Sequence, residues 1–193
     1  MTKAQYQEAI KTERLPLTPW EKFDHFGIVI YCLMPTVMLP VFYLWRCIND
    51  EHLEFNTKHV EVLSISVIVS IFFFWLQNYR LRLQVIPAAL CKKDLKEVTL
   101  QVLKELKWHG RFNGTVCVVH TDRSFFSGSW GEQVTLIVDA DRVLINSICD
   151  LKKRSSITSW GNNGKNVKDF TERFQEYASR QMKAECSAIK IEN

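Results

Sequence analysis

The 193-residue sequence predicts a membrane α-helical hairpin followed by an α+β cytosolic domain, the latter an antiparallel sheet of three to four strands covered by two helices. Three observations carry this. Two windows hold no charged residue, Phe26 to Trp45 over 20 residues and Val62 to Tyr79 over 18. At ~1.5 Å rise per residue each is long enough to cross ~30 Å of hydrocarbon. Lys and Arg crowd the outer flanks of the windows and are sparse between them. Beyond residue 80, helix-period apolar stripes flank runs rich in Val, Ile and Thr that read as strands.

Residues 2 to 13 read as a short polar helix. Thr18-Pro19-Trp20-Glu21 then supplies an N-cap, a proline at the first helical position and a Glu three residues after the cap, the start signal for the helix that becomes the first span. Trp20, Phe23 and Trp45 stand where interfacial aromatics belong, and Pro35 and Pro40 inside the span each remove a backbone donor and favour a kink. In the second span Ser66 and Ser70 lie four apart on one face, with Ser64 nearby, and small residues so spaced let helices approach closely. That face is expected to pack against the first span or between subunits, and Ser66 and Ser70 are the expected oligomerisation residues. No Asp, Glu, Lys, Arg or His lies inside either span, which argues against a proton relay, a voltage sensor or an ion-coupled transporter.

Orientation follows from charge. Lys3, Lys11, Arg14 and Lys22 precede the first span and Arg80, Arg82, Lys92, Lys93 and Lys96 follow the second, whereas the loop from Arg46 to Glu61 holds only Arg46 and Lys58 among four acidic residues. Both termini are expected in the cytoplasm, with the acidic loop outside. The first span makes a poor signal peptide because no small-residue cleavage site follows it. Residues 1–79 are thus expected to form the N-terminal helix and hairpin, with spans at about 26–45 and 62–79. Residues 80–193 form the cytosolic domain, a length suited to one core. The six cysteines contain no CxxC pair, so neither a disulfide framework nor a zinc cluster is expected.

In the domain, Leu95, Val98, Val102, Leu103 and Leu106 define a helix from Lys92 that stops near Gly110. Thr115 to His120, Val134 to Val138 and Val143 to Ile148 read as strands, the last two joined by a tight Asp139-Ala140-Asp141-Arg142 hairpin, and Ser156 to Trp160 is a fourth candidate. A closing helix from about Asn166 to Met182 puts Val167, Phe170, Phe174, Tyr177 and Ala178 on one stripe.

Charge splits along the chain: residues 1–79 carry 6 basic and 8 acidic groups, residues 80–193 carry 19 and 13. A domain of net +6 is drawn to an anionic lipid surface or an anionic ligand. The segment Gly161-Asn162-Asn163-Gly164-Lys165-Asn166 joins a strand end to a helix start, where Gly and Asn let successive amides converge on an anion and Lys165 adds a full charge. It lacks the spacing of a P-loop, and the same residues also serve simply as a turn and a helix cap. Lys152, Lys153 and Arg154 are a second expected ligand-binding group, at the far end of the candidate strand and roughly 17 Å away at ~3.3 Å per residue. Cys117 and His120 point to opposite faces of a strand and cannot work as nucleophile and base. His52 and His59, with the acidic residues around them, lack metal-ligand spacing, and Asp139 and Asp141 suit a turn. No metal, cofactor or catalytic residue is expected, and the chain does not read as an enzyme.

Ser129-Trp130-Gly131-Glu132, the paired strands through Ser147 and the Gly-x-x-Gly-x-Asn-Val before the last helix resemble a group of small, uncharacterised prokaryotic two-span membrane proteins with a cytosolic α+β domain. The plan is also similar to that of membrane effectors in cyclic-nucleotide antiphage systems. This likeness implies a soluble domain that senses a nucleotide second messenger and spans that damage the membrane. The expected function is a non-enzymatic membrane-anchored sensor and effector whose basic domain binds an anionic, nucleotide-type ligand and whose spans self-associate, in contact with lipid, to perturb the membrane. No DNA or RNA duplex is expected as a partner. The alternative is an accessory, assembly or immunity protein docking onto a larger membrane complex.

Overall fold

The computed structural model describes residues 1–49, 56–121, 131–151 and 161–189, with side chains as far as Lys183. The chain divides into two units, Leu17–Arg80 and Met1–Pro16 together with Leu81–Asn193.

The first unit is the hairpin. Helix α2 (Pro19–His25) opens with the expected capping box: the Glu21 amide donates to the Thr18 hydroxyl at 3.3 Å and the Glu21 carboxylate accepts from the Thr18 amide at 2.7 Å. It ends at Phe26, so the span is a separate helix, α3 (Gly27–Ile48), with Pro35 and Pro40 inside it. Helix α4 (Thr57–Arg80) runs back and begins earlier than the apolar window, because Thr57 to Glu61 continue its turns. Both α3 and α4 are long and apolar enough to cross a membrane. Their apolar residues face outward all round, among them Tyr31, Phe42, Trp45, Ile68, Phe72 and Trp75. A helix pair left this apolar outside its own contact is stable only where the surroundings are apolar too.

The second unit is a five-stranded antiparallel sheet among the described residues, with order β1-β5-β4-β3-β2. Its strands are β1 (Gln84–Pro87), β2 (Gly110–Asn113), β3 (Val116–Thr121), β4 (Glu132–Asp139) and β5 (Arg142–Cys149). The three central strands and the Asp139–Arg142 hairpin match the expected runs, and helix α5 (Lys92–Glu105) carries the chain from the β1 edge to the β2 edge. The count of three to four strands is corrected to five by two edge strands of four residues each. β1 is separated from α4 by only three residues and holds just Val85 and Ile86 before a closing proline, and β2 contains Gly, Arg and Asn, so neither offers a long β-branched run. The β2–β3 turn places Gly114 at φ +66°, the backbone a two-residue hairpin needs at its first position. The candidate strand Ser156 to Trp160 lies outside the described residues.

Helices α5 and α6 (Asn162–Ile189) cover one face. Leu95, Val98, Val102 and Leu103 from α5 and Phe170, Phe174 and Ala178 from α6 close on Ile86, Cys117, Val119, Val134, Leu136, Val138, Val143 and Ile145. Phe170 and Phe174 are fully buried, each worth about 1.5–3 kcal/mol relative to exposure. The opposite face is not bare. Helix α1 (Lys3–Thr12), which the sequence reading placed with the spans in residues 1–79, lies on this sheet and inserts Ala9, flanked by Tyr6 and Ile10, against Leu83, Val85, Val116, Ile137 and Leu144. Glu13 adopts left-handed backbone at φ 51° to end α1. The chain then pairs with the start of the returning segment: the Leu15 amide donates to the Leu81 carbonyl and the Leu83 amide to the Glu13 carbonyl, both at 2.8 Å. The domain therefore holds its own entry and exit strands side by side.

Candidate ligand-binding site

Gly161 sits at φ +82° and its carbonyl accepts from the Lys165 amide at 3.0 Å, so α6 starts at Asn162. The expected loop through Lys165 is instead the first turn of the helix, which starts directly after the left-handed Gly161, one turn ahead of the apolar stripe. Asn163 and Asn166, three apart on one helical face, both reach Ser147 of β5. The Ser147 hydroxyl donates to Asn163 Oδ1 at 3.1 Å and accepts from Asn166 Nδ2 at 3.2 Å. Asn166 is buried, so this bridge satisfies a polar group that would otherwise cost about 1–3 kcal/mol. Two of the three asparagines thus tie helix to sheet. Gly164 and Lys165 remain on the surface, with Asn162 half-buried beside them. Lys152, Lys153 and Arg154 lie outside the described residues.

The same end of the sheet holds polar contacts that periodicity does not reveal. Glu132, fully buried at the start of β4, accepts the Thr121 hydroxyl at 2.6 Å and returns its amide to that oxygen at 3.0 Å. On the other face His120 Nδ1 lies 2.9 Å from Asp150 Oδ2, and the buried Asp150 donates its amide to the Gly131 carbonyl at 3.1 Å. An imidazole oriented by a carboxylate can serve as a general base, but no hydroxyl or thiol hydrogen-bonds to His120 among the described residues. Cys117 is on the opposite face, and burial pushes its thiol up to about 11, leaving it protonated and inert. No cluster of three or more His, Cys, Asp and Glu side chains suited to a metal occurs among the described residues.

In the hairpin, Ser66 and Ser70 are buried within the chain's own interface. The Ser66 hydroxyl donates to the Cys32 carbonyl and lies 3.0 Å from Thr36 Oγ1, while Ser70 bonds back to the Ser66 carbonyl at 2.7 Å. Of the two packing roles open to these serines, the structure shows the contact with the first span. A second copy would meet the outward apolar faces instead. No family model, no curated protein and no solved structure matches this chain.

Proposed function

We propose that this chain is a non-enzymatic membrane sensor of the bacterial inner membrane: α3 and α4 cross the bilayer, both termini are cytoplasmic, and the sheet domain takes up an anionic ligand of nucleotide type. Ligand uptake changes the association of hairpins through their apolar outer faces and so perturbs the membrane, as an antiphage effector would. The observation that supports this best is the pairing of two helices apolar all round with a basic domain. Met1–Pro16 and Leu81–Asn193 together carry 21 Lys and Arg against 15 Asp and Glu. Such a domain raises the local concentration of anions by its field alone. The test is a vesicle assay with the full chain in dye-loaded liposomes, challenged with cyclic mono- and dinucleotides. Dye release that depends on one nucleotide is the expected result. Neither binding nor release with any of them, at low salt, removes the sensor and favours an accessory protein that docks on a larger complex.

A further inference from the structure

Helix α2 is inverted with respect to its neighbours. Trp20 and Phe23, three apart and so on one side of the helix, are 79% and 57% exposed, whereas His25 is only 7% exposed. Glu21, Lys22 and His25 share the other side, where His25 Nε2 lies 3.0 Å from the Gln77 carbonyl of α4. The final four carbonyls of α4 begin with Gln77 and have no amide of their own helix to bind, so the imidazole caps that helix. The Phe26 ring lies edge-on to His25 at 5.1 Å and 5.4 Å from the Phe74 ring, which holds the join between α2 and α3 against α4. The seam of the hairpin therefore takes the polar side of α2 and leaves its aromatic side outward.

The same contacts set a depth. With His25 level with Gln77 in two antiparallel runs, Phe23 falls at the level of Tyr79, where the uncharged window of α4 ends. Trp20 stands three residues, about 4.5 Å, beyond it. Headgroups extend roughly 5–7 Å past the hydrocarbon on each side of a bilayer. Trp75 and Tyr79, stacked at 6.0 Å and both exposed, continue the aromatic surface on α4. Aromatic rings at this level settle among headgroups, and a helix with one aromatic and one charged side lies in that layer. We infer that α2 is an interfacial lipid-binding element: Trp20 and Phe23 enter the boundary between headgroups and acyl chains, in the leaflet at the end where the chain enters and leaves the hairpin. This placement rests on the reading that α3 and α4 cross the bilayer, and adds which side of α2 meets lipid and how deep. Lipid suits the surface better than a second copy does. Two aromatic side chains bury roughly 300–500 Å², short of the ~800 Å² per partner of a stable protein interface.

The experiment places the photo-crosslinker p-benzoylphenylalanine at Trp20, Phe23, Lys22 or Ile68, one position at a time, in the full chain reconstituted into dioleoyl phosphatidylcholine liposomes. All four positions are exposed, so the fold tolerates each replacement. Intact-mass spectrometry after irradiation measures the yield of lipid adduct. Ile68, outward at the middle of α4, reports insertion of the span independently of α2. Trp20, Phe23 and Ile68 should give lipid adducts, and Lys22, on the other side of α2, a yield severalfold lower. Adducts at Ile68 with none at Trp20 and Phe23 overturn the interfacial surface and leave the spans in place. Equal yields at Lys22, Trp20 and Phe23 overturn the one-sided docking. Cross-linked dimers at Trp20 or Phe23 in place of lipid adducts give that side to a second copy and overturn it too. No lipid adduct at any position overturns the crossing of the bilayer and the surface together.

Discussion

The hydroxyl of Tyr6 donates to Asp139 Oδ1 at 3.0 Å across 133 residues of sequence, pinning the first helix of the chain to the hairpin turn between β4 and β5. Below it Ala9 is fully buried against the sheet. Tyr6→Phe keeps the packing and removes one hydrogen bond, so it should cost about 0.5–1.5 kcal/mol. Ala9→Leu forces a larger side chain into a closed contact and should cost more, about 1–3 kcal/mol. Chemical denaturation of the domain, followed by circular dichroism, checks both. Equal stability in Ala9→Leu would mean that α1 leaves the sheet in solution.

The same contact sets a pH dependence. Partial burial pushes the Asp139 carboxyl up, but the Ala140 amide, the Tyr6 hydroxyl and Arg142 together outweigh it and hold the group below its ordinary value. A carboxyl depressed on folding contributes stability that is fully present above its unfolded value and is lost as pH falls below about 4. Stability of the native domain should therefore fall more steeply from pH 5 to pH 2 than that of Asp139→Asn, and Tyr6→Phe should lie between them. Parallel pH curves for all three proteins would count against this. Tyr6 behaves conversely: burial first, then the Asp139 charge, pushes its phenol above its ordinary value, so its contribution is lost only as pH rises through the alkaline range.

Ser66 donates to Cys32 within the hairpin, so its substitution should act on the hairpin and not on association between copies. Ser66→Ala should cost about 0.6 kcal/mol, a typical interhelical hydrogen bond in a membrane. Ser66→Leu should cost about 1–3 kcal/mol, because α3 leaves no room for it. Unfolding in mixed micelles measures both. Mass in detergent should stay unchanged for these variants and should shift only on substitution of outward residues such as Ile68 and Phe72.

Elements whose partners are near in sequence, or whose side chains repeat at one period, were legible from residues alone. The Leu95–Leu103 and Phe170–Ala178 stripes are buried as their spacing predicts, and the Thr18 cap and Asp139–Arg142 hairpin are where local chemistry puts them. The rest depends on long-range pairing. α1 is polar enough to read as solvated, since Ala9, Tyr6 and Ile10 give it only a narrow apolar strip. β2 carried one usable signal, the Asn113-Gly114 dipeptide before a Val-rich run. Asn163 and Asn166 suit a loop, a cap or a bridge equally well, and only the register that brings Ser147 beneath them selects the bridge.

Native cysteines report the orientation. Cys47, in the last turn of α3, and Cys91, just before α5, are both exposed. With both termini cytoplasmic, a membrane-impermeant maleimide applied to cells with a permeabilised outer membrane should label Cys47 and spare Cys91. Inverted inner-membrane vesicles should give the opposite pattern. Labelling of Cys91 from the periplasmic side would overturn the orientation and place the basic domain outside.

Because the Leu15 amide bonds to the Leu81 carbonyl, the point where the chain leaves the sheet domain and the point where it returns are neighbours. The whole hairpin, residues 17–80, is therefore replaceable by a short Gly/Ser linker between Pro16 and Leu81 without stretching either end. The joined protein should be soluble and fold cooperatively, because it keeps both covered faces of the sheet. A fragment of residues 80–193 should behave worse. Without α1 it exposes Leu83, Val116, Ile137 and Leu144 as one patch on an open face, a surface that drives association. Size-exclusion chromatography with thermal melting compares the two. A joined protein no more soluble or stable than the fragment would show that α1 contributes nothing to the fold, and would withdraw the assignment of residues 1–16 to the sheet domain.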